Sequence, residues 1–336
     1  MEEEPIETIR ETSRSLLVLN RRKHRDEVAD VRRSMIGLRT NSDTVSLIAR
    51  KLKSKAQIAT PELLTLKNAL IDDAVNIDVV LHTHGALRGL VREFTGNDVN
   101  KQCAAAGCLC NLALGDVKAC LIVSKAVGSY LVPGLDNLSA ELAVSMFRVT
   151  SAWTLGNLAG SGPKVCELLV AQGAISRLIW QLGSNNEETR DSVMYALVHF
   201  AYHQRDEFRP DYLHRLLNIL PSHRIAATAE LFFILSCHKD FVNRFTEIFF
   251  QKALRYLTAS IEKPIEDPNL VYLLRFLANI NSEEVFRIFL NYFVSKNKIN
   301  GLKKLLVNKN ASETVWWFLG NAYKCCSDHE LFEVLR

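Results

Sequence analysis

Glycine and proline are scarce, 15 and 8 in 336 residues, which leaves little of the punctuation that an all-β fold needs for its turns. Long apolar runs are missing too. No uninterrupted apolar stretch of about 18 residues occurs, so no membrane span is expected. Neither sign of charge dominates, with 41 Lys/Arg against 37 Asp/Glu. No signal-peptide pattern opens the chain. The eight cysteines (103, 108, 110, 120, 166, 237, 325 and 326) are irregularly spaced inside apolar helical runs. They read as reduced core residues of an intracellular protein, not as a disulfide framework.

Reaction chemistry is equally thin. Cys103, Cys108 and Cys110 lie five and two residues apart on a helical run and do not converge on one face, and Cys120 completes no zinc pattern. His82 and His84 would chelate a metal only on an extended strand, and their surroundings read as helix. The run Gly160-Ser161-Gly162-Pro163-Lys164 lacks the second glycine and the Lys-Ser/Thr ending of a phosphate loop. Cys325-Cys326 has no partner histidine at a known spacing. No catalytic residue, metal site or cofactor is assigned, and a binding protein rather than an enzyme is expected.

What the chain does have is a repeated pair. Trp153-Thr154-Leu155-Gly156-Asn157 and Trp317-Phe318-Leu319-Gly320-Asn321 each set a tryptophan and an asparagine four residues apart, on one face of a helix. Aligning helices on the second member of the pair gives Asn68, Asn111, Asn157, His199, Ser236, Asn279 and Asn321, at intervals of 43, 46, 42, 37, 43 and 42 residues. A period near 42 falls in the range of armadillo and HEAT units. Glycines in His84-Gly85-Ala86, Gln172-Gly173-Ala174 and Asn300-Gly301-Leu302 predict a tight turn between a short helix and a longer one after it. The reading is all-α: an armadillo-repeat, right-handed superhelical solenoid of about seven units over residues 56–336. Asn is disfavoured at mid-helix, so its recurrence calls for a role, either toward a guest or between helices. Trp180 and Trp316, off the register, are expected in the core.

Residues 10–55 differ in character. They hold thirteen Lys/Arg against five acids, an excess of eight, ahead of a body close to neutral. A basic arm over residues 1–55, seeking an acidic partner, is the division this suggests. It lacks interleaved aromatics, so direct nucleic-acid binding is not expected.

These residues resemble the importin-α (karyopherin-α) family of nuclear import adaptors. Residues 153–160 are similar to that family's third-repeat motif. Leu274-Arg275-Phe276-Leu277-Ala278-Asn279 is similar to its sixth repeat, where Arg replaces Trp, and residues 317–321 fall where the seventh regains it. Arg21, Arg22, Lys23, Arg25, Arg32 and Arg33 resemble the importin-β-binding segment. A more divergent relative, the transmembrane and coiled-coil domain-containing protein 6 family, has a similar Arg-rich start and degenerate repeats. The resemblance implies that a basic or extended cargo peptide is bound by Asn111, Trp153, Asn157, Tyr195, His199, Arg275, Asn279, Trp317 and Asn321. It also implies importin-β on the arm, residence in cytoplasm and nucleus, and an arm that folds back on the groove. Departures are plain. Gly107 replaces a Trp, Tyr195 and His199 fill the fourth pair, and Phe232 and Ser236 the fifth. The 160–163 loop lacks the family's lysine-pairing acid. One cation slot is still expected between Trp153 and Tyr195, worth about 0.5–2 kcal/mol per bound cation. An armadillo scaffold unrelated to transport is the alternative.

Overall fold

The structure, a computed structural model, describes residues 42–136, 142–219, 225–238, 253, 255–256, 268–280, 282–295, 299–308 and 311–325. The arginine cluster from Arg21 to Arg33 and the apolar 331–336 segment lie outside the described residues. All regular elements among the described residues are helices, assembled as an armadillo-like repeat. The chain divides into two compact units, residues 1–204 and 205–336.

In the first unit the repeat is clearest twice. Helix α3 (Val75–His82) turns at Gly85 into α4 (Ala86–Phe94), which leads to α5 (Val99–Leu112). Helix α8 (Pro163–Ala171) turns at Gly173 into α9 (Ala174–Gln181), which leads to α10 (Glu187–Gln204). Gly85 (φ 91°) and Gly173 (φ 83°) are left-handed, a conformation open to glycine at little cost, so both expected turns are present. The third helix of each triplet, not the one after the glycine, is the long one: 14 and 18 residues against nine and eight. Polar caps start these long helices. Asp98 accepts from the N–H groups of Asn100 and Lys101, and Asn186 Oδ1 accepts from Thr189 N–H.

Between the triplets, α6 (Val117–Gly134) runs as one 18-residue helix with Pro133 in its last turn. By length and composition it meets the requirement for a membrane span. It packs against α4, α5, α8 and the long helix α7 (Leu142–Ala159), with Cys120, Val123, Val127, Leu131 and Val132 fully buried. That is the burial of a core helix in a repeat. The register helices α2 (Thr60–Asp72), α5, α7 and α10 pack side by side in sequence order. Long-range side-chain bonds carry the repeat in their spacing. Arg177 to Asp136, Gln181 to the Leu135 carbonyl and Asn186 to Ser145 span 41, 46 and 41 residues.

Helix α1 (Ser42–Ser54) falls inside the arm expected from charge, yet it packs on α3 and α4 with Val45, Ala49 and Leu52 at 0% exposure. Burying side chains the size of Val45 and Leu52 contributes about 1.5–3 kcal/mol each. Residues 42–54, assigned to the arm on charge, are therefore packed against the helices that follow them.

The second unit holds α11 (Pro210–Ile219), α12 (Ile225–Ser236), α13 (Pro268–Asn279), α14 (Glu283–Ser295), α15 (Ile299–Val307) and α16 (Ser312–Cys325). Its register helices α12, α13 and α16 are neighbours in that order. Phe232 on α12 meets Phe276 on α13 at 5.4 Å between centroids, and Phe318 on α16 meets Phe289 on α14 at 4.3 Å. Gly301 does not make the expected turn, because it lies within α15. Trp180 and Trp316 are not core either, being 59% and 62% exposed. On α16, Val315, Phe318, Leu319 and Ala322 take the buried side, and one residue's rotation of about 100° per position turns Trp316 outward. On α9, Ile175, Leu178 and Ile179 do the same at the expense of Trp180.

Candidate functional site

The recurring asparagines do one thing in common. Asn111 Nδ2 donates to the Lys67 carbonyl on the preceding register helix at 2.7 Å. Asn157 Nδ2 donates to the Cys110 carbonyl at 3.2 Å. In the second unit Asn321 Nδ2 donates to the Ala278 carbonyl at 3.0 Å, and Asn279 Nδ2 to Ser236 Oγ at 2.8 Å. Three of the four acceptors are backbone carbonyls one residue before the register position of the previous helix. The helix-to-helix role is thus filled, and one end of each amide is spent on it. Among the described residues, Oδ1 of Asn111, Asn279 and Asn321 receives no hydrogen bond; Oδ1 of Asn157 does.

That exception defines the centre of the first unit. Tyr195 OH donates to Asn157 Oδ1 at 2.8 Å. Its ring lies 4.3 Å from Trp153 between centroids at 42°, and 4.6 Å edge-on from His199. Gly156 permits this: a Cβ there would stand 2.6 Å from the Tyr195 ring. A lysine or arginine stem between two rings needs about 7 Å, two van der Waals contacts of about 3.5 Å each. The slot expected between Trp153 and Tyr195 is therefore shut by the two rings themselves. His199 is 2% and Asn157 5% exposed, so neither reaches solvent to hold a guest.

One helix earlier, Gly107 stands where a tryptophan is expected by resemblance. The aliphatic stem of Lys67 lies across it, in the space a side chain would take. Asn111 beside it is 8% exposed. The first unit's row is filled from within at both positions.

The second unit has two regimes. Phe232 is fully buried and Ser236 is 5% exposed, its hydroxyl donating to the Phe233 carbonyl at 2.6 Å. Arg275 is 6% exposed, and its guanidinium lies 5.7 Å above the Phe233 ring. Burial pushes the Arg275 pKa down, with Tyr272 and Glu313 countering. Buried on Phe233, it is withheld from a guest. On the preceding register helix, burial raises the Glu230 carboxyl to about 7 against a smaller opposing effect of the Tyr272 hydroxyl. Sequence reasoning missed Glu230 and Tyr272; a glutamate and a tyrosine flanked by apolar helix residues were the available signal. Further along, Trp317 and Asn321 are half-buried, and among the described residues no ring or cation covers the indole. Of the nine expected groove residues, this pair alone keeps an accessible aromatic beside a half-used amide.

The cysteines remain thiols among the described residues. Cys108 and Cys166 donate to the Leu63 and Ala159 carbonyls, and burial pushes the Cys108 thiol up to about 12, which makes it inert. No group of three metal-ligating side chains occurs among the described residues.

No protein-family model matches the chain, and no curated protein matches it. Solved structures do. An engineered protein solved by a structural genomics consortium superposes with TM-score 0.65 at 19% identity, over 83% of this chain and 68% of that one. A designed armadillo repeat protein aligns over 83% of this chain and 99% of that one, at 16% identity and TM-score 0.48. A second designed armadillo repeat protein, in complex with the peptide (KR)4, gives 17% identity over 83% and 99%, at TM-score 0.46. At these identities the likeness concerns the fold.

Proposed function

We propose that this armadillo scaffold binds an extended peptide, and that the working contact is the Trp317–Asn321 position of the second unit. One observation carries the reading. The indole is half-exposed with no ring or cation on it among the described residues, and the amide beside it keeps Oδ1 for a guest N–H while Nδ2 is tied to Ala278. A guest cation on such a ring contributes about 0.5–2 kcal/mol, and the amide bond about 0.5–1.5 kcal/mol, so affinity from this position is weak to moderate. A labelled (Lys-Arg)4 peptide in fluorescence polarisation tests it. Wild-type binding that Trp317→Ala weakens supports the reading; binding indifferent to Trp317→Ala overturns it.

In its finer form the scaffold is an importin-α-type adaptor, with importin-β on residues 10–55 and traffic between cytoplasm and nucleus. Support for this comes from the Arg-rich residues 21–33 and the Trp, Arg, Trp order at 153, 275 and 317. A peptide of residues 10–55 is expected to retain importin-β in a pull-down at low salt, and no retention at micromolar concentration removes the transport reading. The closed Trp153 position favours the second reading, a scaffold for a partner outside transport. Under that reading the arm peptide captures no importin-β while Trp317→Ala still costs partner affinity.

A further inference from the structure

We propose that Tyr195 is the specificity-determining residue of the first unit: it is a built-in occupant of the Trp153–Asn157 position and turns a lysine or arginine stem away. The inference rests on the peptide-groove reading above and says which part of the row is denied to a basic guest.

Three contacts hold Tyr195 where a guest residue would lie. Its ring is against Trp153 at 4.3 Å, its hydroxyl donates to Asn157 Oδ1 at 2.8 Å, and His199 supports the far side at 4.6 Å. Together these satisfy both recognition elements of the pair, the aromatic face and the amide oxygen. Asn157 Nδ2 is likewise taken, by the Cys110 carbonyl at 3.2 Å and Sγ at 3.5 Å. The contacts also reinforce one another. Asn157 is oriented by Cys110, so its Oδ1 points at one place, and Gly156 leaves the ring room to lie there because no Cβ intrudes. A guest cation has to displace an aromatic contact and a part-buried hydrogen bond to gain one ring face, and loses that exchange. The first unit therefore discriminates against basic side chains at the position where the Trp/Asn pair by itself would favour them.

Affinity of full-length chains for labelled (Lys-Arg)4 tests the proposal. Tyr195→Ser removes the occupant and is expected to tighten binding about fivefold, the scale of one exposed cation–π contact. Adding Trp153→Ala should cancel the gain. Gly156→Ala, whose Cβ would stand 2.6 Å from the ring, forces the ring off by a separate route and is expected to act in the same direction. Tyr195→Phe keeps the ring in place and should stay within about twofold of wild type. Circular dichroism and thermal melts identify any variant that does not fold, and Gly156→Ala then stands in for Tyr195→Ser. If neither variant changes affinity while Trp317→Ala still weakens the wild type, the occupant is refuted and the groove stands. If Tyr195→Phe gains as much as Tyr195→Ser, ring exclusion is wrong. If no variant, wild type included, binds the peptide, the groove reading fails and this inference with it.

Discussion

The Trp153–Asn157 and Trp317–Asn321 positions are spelled alike, Trp-x-Leu-Gly-Asn, and end up in opposite conditions. In the first unit the helix that follows brings Tyr195, which spends the ring and the amide oxygen internally. In the second, nothing among the described residues does so, and the same motif leaves an open indole and a spare acceptor. A recognition motif is thus only half of a site. The other half is the residue that the next repeat sets against it.

Breaking the asparagines should separate the two most sharply. Asn157→Ala removes the donations to the Cys110 carbonyl and Sγ at a buried position and strands the Tyr195 hydroxyl, so a loss of about 2–3 kcal/mol is expected. Asn321→Ala removes one half-buried bond and should cost about 0.5–1.5 kcal/mol. Urea unfolding of both variants measures the gap, and equal losses would erase the distinction drawn here.

The units should also part company with pH. Glu230 holds its proton up to about pH 7 in the folded second unit, against an ordinary value of 4.5. The folded form binds the proton more tightly than the unfolded chain does. The stability this confers is present in full below pH 4.5 and is lost as pH rises through 7. Thermal melts between pH 5 and 8 should show that decline, and Glu230→Gln should flatten it. A wild-type curve already flat over that window would argue against the buried carboxyl.

The smallest effect is on peptide affinity. Trp317→Ala is expected to weaken (Lys-Arg)4 about fivefold, and Trp153→Ala by less than about twofold, because only the first ring is open. The reverse order in fluorescence polarisation would exchange the roles of the two positions.

Much of this fold was legible in the letters. A period near 42, glycines at 85 and 173, and Asn at every second-member position except 199 and 236 required stacked helices, and stacked helices are found. The role of Asn as a helix-to-helix donor was legible only as one of two options. Its partner lies 43 to 47 residues away, and which atom sits opposite depends on the offset between helices, which spacing does not encode. The closed Tyr195 position was hidden for the same reason: residue type told of an aromatic neighbour, whereas a difference between about 7 Å and 4.3 Å decided between slot and stack. Trp180 and Trp316 misled because hydrophobic size predicts burial only when the helix has a buried side left to give. Arg275 occupies a Trp position, which points it toward a guest; its burial on Phe233 follows from an aromatic one helix back that no local pattern reveals.

The asparagine joints have a bearing on divergence. At Asn111, Asn157 and Asn321 the receiving atom is main-chain oxygen, which every amino acid carries, so mutation of the receiving residue cannot delete it. A lineage can rewrite Lys67, Cys110 or Ala278 freely and still keep successive layers fastened, provided a single amide per layer survives. Such an architecture lets surface chemistry drift from repeat to repeat while the stack stays assembled, which is how a chain 19% identical to an engineered protein can still share its form.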